Sequence, residues 1–413
     1  MTPEIVTLNL ENMAHGGDAV GHHQGRAILV PLGIPGEVVR AQIIEERKRY
    51  ALARIVEITQ PSPQRVAPPC PYFGRCGGCQ WQHLAYGAQL EHKREIVRAQ
   101  LERIGQQAQP VVRDALGMAE PWAYRNHIQL AMGDEGALGY QSLKSHDIVP
   151  VEECALAHPL LDDLWGALDL DFDLRQISLR AGIATGEQMI VFEGVTDELP
   201  EFEVDVPVSC LYQTPNGDLT VLAGSSYYHE RLAGRTFRVS GPSFFQVNTA
   251  QAERMVEVVG RYLALQPGET LLDAYCGVGA FALTLGEQAG RVIGVEQSSW
   301  SLDDAAAHLE AAGGWEHVEF IEGAVEEALP ELDLHCDAAV LDPPRAGCAP
   351  EALRALAQAG PSRIVYVSCD PATLARDVAL LAAQSYALVE AQPIDLFPQT
   401  YHIETVAWLV RVR

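Results

Sequence analysis

The chain has no apolar run approaching the roughly 18–20 residues that a membrane span needs, which excludes an integral membrane protein. Its first residues, MTPEIVTLNLENMAHGG, lack a basic stretch followed by an apolar core, so no secretory signal is read and the expected compartment is the cytoplasm. Internal repeats and low-complexity tracts are also missing. The nine cysteines form an odd set in 413 residues, which argues against a disulfide framework. Positive charge is scarce: 29 Lys+Arg face 55 Asp+Glu, a net charge of −26, and a field of that sign repels nucleic acid.

What is present fits a packed globular protein. Hydrophobic residues make up 48% and charged residues 20%, which excludes global disorder and collagen. The length suggests about two to four domains. Charge is uneven along the chain. Residues 1–110 hold 12 Lys+Arg and 10 Asp+Glu, a balance of +2; residues 111–240 stand at −13 and residues 241–413 at −15. The N-terminal third is therefore the electrostatic foothold for any nucleic acid.

Residues 4–60 read as short strands punctuated by Gly and Pro: Val6 to Leu10, Ala27 to Val30, Glu37 to Ile44 and Ala51 to Ile58. That spacing predicts a small β-barrel. Residues 61–71 carry five prolines and read as a stiff linker. Leu84 to Ile104 has helical spacing, with Gly105 as its stop. Residues 122–240 are mixed and acidic. From about 250, apolar strands at Val292–Glu296, Ala338–Asp342, Ile364–Ser368 and Thr405–Val410 alternate with helices, which predicts a doubly wound, mostly parallel sheet. The expected architecture is an OB-like barrel (1–60), a small α+β central domain with a Cys cluster (61–240) and an α/β Rossmann-like domain (241–413), with helix 84–105 packing on the last.

Leu271-Leu272-Asp273-Ala274-Tyr275-Cys276-Gly277-Val278-Gly279-Ala280-Phe281 reads as a strand end, a Gly-rich turn and a helix start. Glycines there let backbone approach a ligand beside a helix N-terminus. A GxG alone is also what a bare tight turn shows. Here the next strand ends in Glu296, about 20 residues on, where a carboxylate can accept from ribose hydroxyls, and a further strand ends in Asp342-Pro343-Pro344-Arg345. These favour a nucleoside cofactor. The third glycine of a pyrophosphate site is absent, which points to one such as S-adenosylmethionine.

Val367-Ser368-Cys369-Asp370-Pro371 puts a cysteine at that same sheet edge. Most such thiols are inert packing, and an active one needs local activation. His402-Ile403-Glu404 stands before the last strand, where a carboxylate can serve as general base. Separately, Cys70-Pro-Tyr-Phe-Gly-Arg-Cys76-Gly-Gly-Cys79 brings three sulfurs together on a Gly-rich loop, with Cys154 the best fourth ligand. Four thiolates suit zinc or an iron–sulfur cluster, and the three-plus-one spacing fits a cubane better than the paired spacing of zinc sites.

Residues 241–413 resemble the catalytic domain of the RNA uracil-5-methyltransferases, which make 5-methyluridine in tRNA and large-subunit rRNA. The segments that carry the resemblance are Phe245-Gln246-Val247-Asn248, Asp273-Ala274-Tyr275-Cys276-Gly277, Asp342-Pro343-Pro344-Arg345, Val367-Ser368-Cys369-Asp370-Pro371 and Phe397-Pro398-Gln399-Thr400 with His402 and Glu404. The resemblance implies Cys369 as nucleophile and Glu404 as base, with Gln246, Tyr275, Glu296 and Asp342 on S-adenosylmethionine. Cys70, Cys76, Cys79 and Cys154 would hold a [4Fe–4S] cluster, as some members do. Residues 4–60 resemble the RNA-binding TRAM domain, with Arg47-Lys48-Arg49, Tyr50 and Arg54 as RNA contacts; a solvated strand edge explains those residues equally well. The chain departs from the family at Ala280 and Asp370, where Asn is common. The expected enzyme is a monomer acting on uridine in RNA, rRNA ahead of tRNA. Two other readings stay open: methylation of cytosine C5, and a non-catalytic RNA-binding or RNA-folding protein.

Overall fold

The computed structural model describes residues 4–133, 136–143, 145–168, 170, 172–201 and 203–412. Strands β1 (Ile5–Met13), β2 (Ala19–His23), β3 (Arg26–Val30), β4 (Val38–Glu46) and β5 (Tyr50–Gln60) close a barrel in the order β1-β2-β3-β5-β4. Alternation turns Val6, Leu8 and Leu10 inward against Val30, Ala41, Ala51 and Ala53. The proline-rich segment after the barrel is pinned to it. Arg65 donates through Nε (2.6 Å) and Nη2 (2.8 Å) to the carboxylate of Glu37, which is 1% exposed.

Helix α1 (Tyr86–Arg103) follows, and packs on the C-terminal half of the chain rather than on the barrel. Seven strands then form a central sheet in the order β12-β11-β10-β9-β6-β7-β8. They are β6 (His127–Met132), β7 (Leu138–Gln141), β8 (Ile148–Pro150), β9 (Leu174–Ala181), β10 (Gln188–Gly194), β11 (Ser209–Gln213) and β12 (Leu219–Ala223). Helix α2 (Pro159–Gly166) lies against β9 and β10, burying Leu161 and Leu164 with Ile128, Ile177 and Phe192. Its first N–H groups are covered by His158, whose Nδ1 accepts from Leu160 N.

A hairpin, β13 (Tyr227–Leu232) and β14 (Arg235–Ser240), leads into α3 (Thr249–Leu263) and a second seven-stranded sheet. In chain order this contains β15 (Thr270–Ala274), α4 (Ala280–Leu285), β16 (Arg291–Glu296), α5 (Ser299–Ala311), β17 (Val318–Glu322), α6 (Val325–Glu331), β18 (Ala338–Leu341), α7 (Pro350–Ala359), β19 (Arg363–Ser368), α8 (Pro371–Ala382), β20 (Tyr386–Ile394) and β21 (Glu404–Arg411). The strand order is β17-β16-β15-β18-β19-β21-β20. The first five strands are parallel, and β21 runs antiparallel between β19 and β20. Leu271, Leu272, Val292, Ile293, Val340, Ile364 and Val365 are buried on both faces of this sheet, as helices on both sides require. The order reverses at β15, which opens a crevice at its C-terminal end between the loops after β15 and β18. Among the described residues, no helix is long and apolar enough to cross a membrane.

Candidate active site

The turn after β15 is shaped by backbone that few side chains tolerate. Tyr275 (φ 66°), Gly277 (φ 54°) and Gly279 (φ 81°) all lie in the left-handed region. The N–H groups of Tyr275 and Cys276 both donate to Val295 O, at 2.9 and 3.0 Å, which locks the turn to β16. Gly277 N then donates to Glu296 Oε2 at 3.0 Å, and Ser298 N to Glu296 Oε1 at 2.9 Å. Glu296 is thereby fixed beside the glycines. A Cβ at Gly277 would meet nothing within 4 Å, so the turn borders open space. That cradle, with an oriented carboxylate at its rim, fits a ribose and its nucleoside. Ala280 opens α4, and no side chain caps that helix.

Three more strands bring groups to the same edge. Asp342 follows β18, and its N–H donates to Ala274 O at 3.3 Å. Cys369 follows β19, and Glu404 begins β21. Ser368 pairs with Thr405 in the β19–β21 register, so the next position along puts Cys369 opposite Glu404. Electrostatics report the same proximity. Burial, then Glu404 and Asp342, push the Cys369 thiol up to about 12, and Arg345 draws it back. Burial pushes Asp342 up to about 7. Burial and the Asp342 charge raise Glu404 well above the usual carboxylate range. Two carboxylates that close do not both ionise easily, so the pair retains a proton into the neutral range.

The segment that carries Gln246 is held from the central sheet. The Gln246 carbonyl accepts from Asn126 Nδ2 at 3.0 Å, and Asn126 N donates to Val247 O at 2.9 Å. Arg180 Nη1 adds a bond to Ser243 O at 3.0 Å. Asp370 caps α8, its Oδ1 accepting from Ala372 N and Thr373 N at 2.9 and 3.0 Å. Its Oδ2 faces Arg345 Nε at 3.6 Å and, from the barrel, His15 Nε2 at 3.4 Å. His15 carried no signal in the sequence; only the fold brings it within reach of the residue after Cys369.

The cysteines are free thiols, and Cys70, Cys76, Cys79 and Cys154 line one cavity of about 550 Å³. Gly77 lets the loop pass close to β7: a Cβ there would stand 2.8 Å from Gln141 O. Tyr72 OH accepts from Glu152 N at 3.2 Å, drawing the Cys154 segment toward the loop. Burial pushes the Cys79 thiol up to about 12, with Cys154 and Cys76 adding to the rise. Among the described residues, no group of three His, Cys, Asp or Glu side chains is arranged to hold a metal ion. A single zinc ion needs sulfurs under about 4 Å apart, given Zn–S bonds near 2.3 Å. Four cysteines around one cavity are the donor set that would hold an iron–sulfur cluster.

On the barrel, Arg47 is paired with Glu45 (2.6 Å) and Arg54 donates to Gln42 Oε1 (2.8 Å), while Lys48 and Arg49 are exposed at the β4–β5 tip.

Comparison with known proteins decides the family. A family model described as tRNA (Uracil-5-)-methyltransferase matches residues 225–412, and the TRAM domain model matches residues 4–56. A protein of Halalkalibacterium halodurans, named as an uncharacterized RNA methyltransferase, is 36% identical over 98% of this chain and 97% of its own length. One of Gloeobacter violaceus with the same description is 36% identical over 99% and 97%. The chain belongs to the S-adenosylmethionine-dependent RNA uracil-5-methyltransferases. A solved member is similar over its whole length. The Pyrococcus abyssi tRNA (uracil-54, C5)-methyltransferase, in complex with S-adenosyl-L-homocysteine, superposes with a TM-score of 0.77 at 29% identity, covering 98% of this chain and 100% of that one. Membership in an enzyme family disfavours the non-catalytic reading.

Proposed function

We propose that this enzyme methylates C5 of a uridine in RNA through a covalent adduct at C6, with Cys369 as nucleophile and Glu404 as base. The observation that carries the proposal is the β19–β21 register: it ends with Ser368 opposite Thr405, so Cys369 and Glu404, the next residue on each side, come together at the edge where the glycine turn lies, and the Glu404 charge acts on the thiol. Uracil C5 is a weak nucleophile. Addition of the Cys369 sulfur to C6 places electron density at C5, which can then accept a methyl group. S-adenosylmethionine supplies that methyl on a positively charged sulfur. Gln246, Tyr275, Glu296 and Asp342 are assigned to holding it, with Glu296 on the ribose. Glu404 then takes the C5 proton, the C6–S bond breaks, and the ring double bond returns.

The electrostatics suit the base better than the nucleophile: a buried, crowded carboxylate is a stronger base than an exposed one once ionised, whereas burial and the two carboxylates push the Cys369 thiol up to about 12 and Arg345 is the group that opposes that rise. A uridine stacked in a helix could not reach Cys369, so the target lies in a loop or is flipped out. Lys48 and Arg49 on the barrel are assigned to RNA phosphates. Cys70, Cys76, Cys79 and Cys154 are assigned to a [4Fe–4S] cluster, on the strength of their shared cavity and the four-sulfur donor set. The expectation of an rRNA target stands against the description of the matching family model and the name of the Pyrococcus abyssi protein, both of which favour tRNA.

The test is mass spectrometry of the enzyme after incubation with S-adenosylmethionine and RNA containing 5-fluorouridine. A methylated RNA adduct on Cys369 is expected, because fluorine at C5 cannot leave as a proton. Absence of an adduct with both rRNA and tRNA fragments refutes the proposal. Loss of 5-methyluridine from one RNA class in a deletion strain then identifies the substrate.

A further inference from the structure

The segment between β20 and β21 ends at Glu404, and its backbone polar groups are taken one after another by side chains from elsewhere. Gln251 Nε2 donates to Asp395 O at 3.0 Å, and Asn248 Nδ2 to Leu396 O at 3.0 Å. Lys93 Nζ donates to Phe397 O at 3.0 Å, and Tyr124 OH to Pro398 O at 3.1 Å. Gln399 stands at φ 69°, an uncommon conformation for a non-glycine residue, and is 2% exposed. Gln89 clasps it from two sides: Gln399 N donates to Gln89 Oε1 at 3.0 Å, and Gln89 Nε2 donates to Gln399 Oε1 at 2.9 Å. Such a backbone persists only where its surroundings over-determine it.

Gln89 and Lys93 are one helical turn apart on α1, some 300 positions from the segment they hold, and both are 1% exposed. Lys93 also pairs with Asp395, Nζ to Oδ1 at 2.6 Å, and Asp395 is 0% exposed. Asp395 directly follows Ile394, the cross-strand partner of Glu404. A fully buried ion pair is a poor source of stability, because desolvation consumes most of the attraction and well-packed apolar residues do as well. What the pair supplies is direction: a charged hydrogen bond fixes where the segment leaves β20 and hence where β21 begins.

We infer that Lys93 and Gln89 on α1 are positioning residues for the Glu404 carboxylate: they hold the 395–400 segment in the one conformation that aims it at the uracil C5 proton. The inference rests on the proposed roles of Cys369 and Glu404. It assigns to a helix from the N-terminal half a part in proton removal, and none in forming the Cys369 adduct.

The experiment uses the full-length, cluster-loaded enzyme with S-adenosylmethionine and ordinary uridine RNA. Turnover is measured, and the covalent protein–RNA complex is followed on denaturing gels. Lys93→Met leaves Asp395 buried without its partner, so Lys93→Met with Asp395→Leu and the single variant Gln89→Leu are made beside it. A misplacement near 1 Å costs about 100-fold in rate. Turnover should fall toward that extent while a methylated complex on Cys369 accumulates, since methyl transfer proceeds and proton removal stalls. Turnover at the wild-type rate, or slow turnover with no accumulated complex, overturns the inference, the latter marking a general structural role. A wild-type enzyme that gives no adduct with 5-fluorouridine RNA refutes instead the reading on which the inference stands.

Discussion

Asp273 offers a sharp test of the electrostatics around the glycine turn. It is 0% exposed at the end of β15, and Ala282 N donates to its Oδ2 at 2.7 Å, while Oδ1 has no partner among the described residues. Burial, together with the Asp342 and Glu296 charges, pushes its carboxyl from 3.8 up to about 7. A carboxyl raised on folding contributes stability that is complete below its unfolded value and is lost as pH rises through the folded one. The window therefore runs from about pH 4 to about pH 7. At roughly 1.36 kcal/mol per unit, a rise of about three units caps the loss at about 4 kcal/mol. Asp273→Asn keeps the acceptor for Ala282 N and removes the charge. The variant should match the wild type near pH 4.5 and exceed it at pH 8.5 by about 2–4 kcal/mol, read as a Tm higher by on the order of 10 °C at roughly 2–4 °C per kcal/mol. Thermal unfolding of the cofactor-free protein at both pH values measures this. A variant less stable than wild type at pH 8.5 would show that the native carboxylate is charged and well partnered, and would sink the reasoning.

Cys369→Ala should abolish turnover and leave binding of S-adenosyl-L-homocysteine unchanged by calorimetry; turnover near wild type removes it as nucleophile. Glu404→Gln should accumulate the methylated adduct on ordinary uridine RNA, seen as a slow band on denaturing gels, and should slow release by about 10²–10⁴-fold, the usual contribution of a general base. Arg345→Gln removes the cation that opposes the rise of the Cys369 thiol, so adduct formation should slow and its pH profile should move to higher pH. Anaerobically prepared protein should be brown with about four irons per chain, and Cys154→Ser should lower that content; one zinc per colourless chain refutes the cluster.

Local pattern announced the elements that build the site, and distance along the chain hid what joins them. Val292–Glu296 and Ile364–Ser368 are legible because an apolar run bounded by turn residues signals a buried strand, and the structure extends each by one residue, to Arg291 and Arg363. Helix α1 begins at Tyr86 rather than Leu84, since Trp81 and Leu84 form a turn that packs under the barrel before the helix starts. The approach of Cys369 to Glu404 required knowing that β21 inserts antiparallel beside β19, with Ser368 opposite Thr405, which no spacing encodes. The sequence reading packed that helix on the last domain but did not single out Lys93, whose burial became visible only with Asp395, 302 positions away. Asp370, read as a departure from the family's Asn, proves to be a helix cap whose second oxygen meets a histidine from the barrel.

Position 17 has a consequence for how RNA is measured. Its carbonyl takes the indole proton of Trp81 at 3.0 Å, and a β-carbon there would stand 2.7 Å from that of Tyr401, three residues before the proposed base. The strand tips of the barrel are thus wedged against the chemistry with no room for a methyl group between them. On the proposed assignment of Lys48 and Arg49 to RNA phosphates and of Cys369 to the nucleophile, a module seated so tightly would act as a fixed gauge, presenting to the sulfur only the nucleotide that lies one set span away. Inserting or deleting a single nucleotide between grip and target should therefore cost more than changing the letters in between.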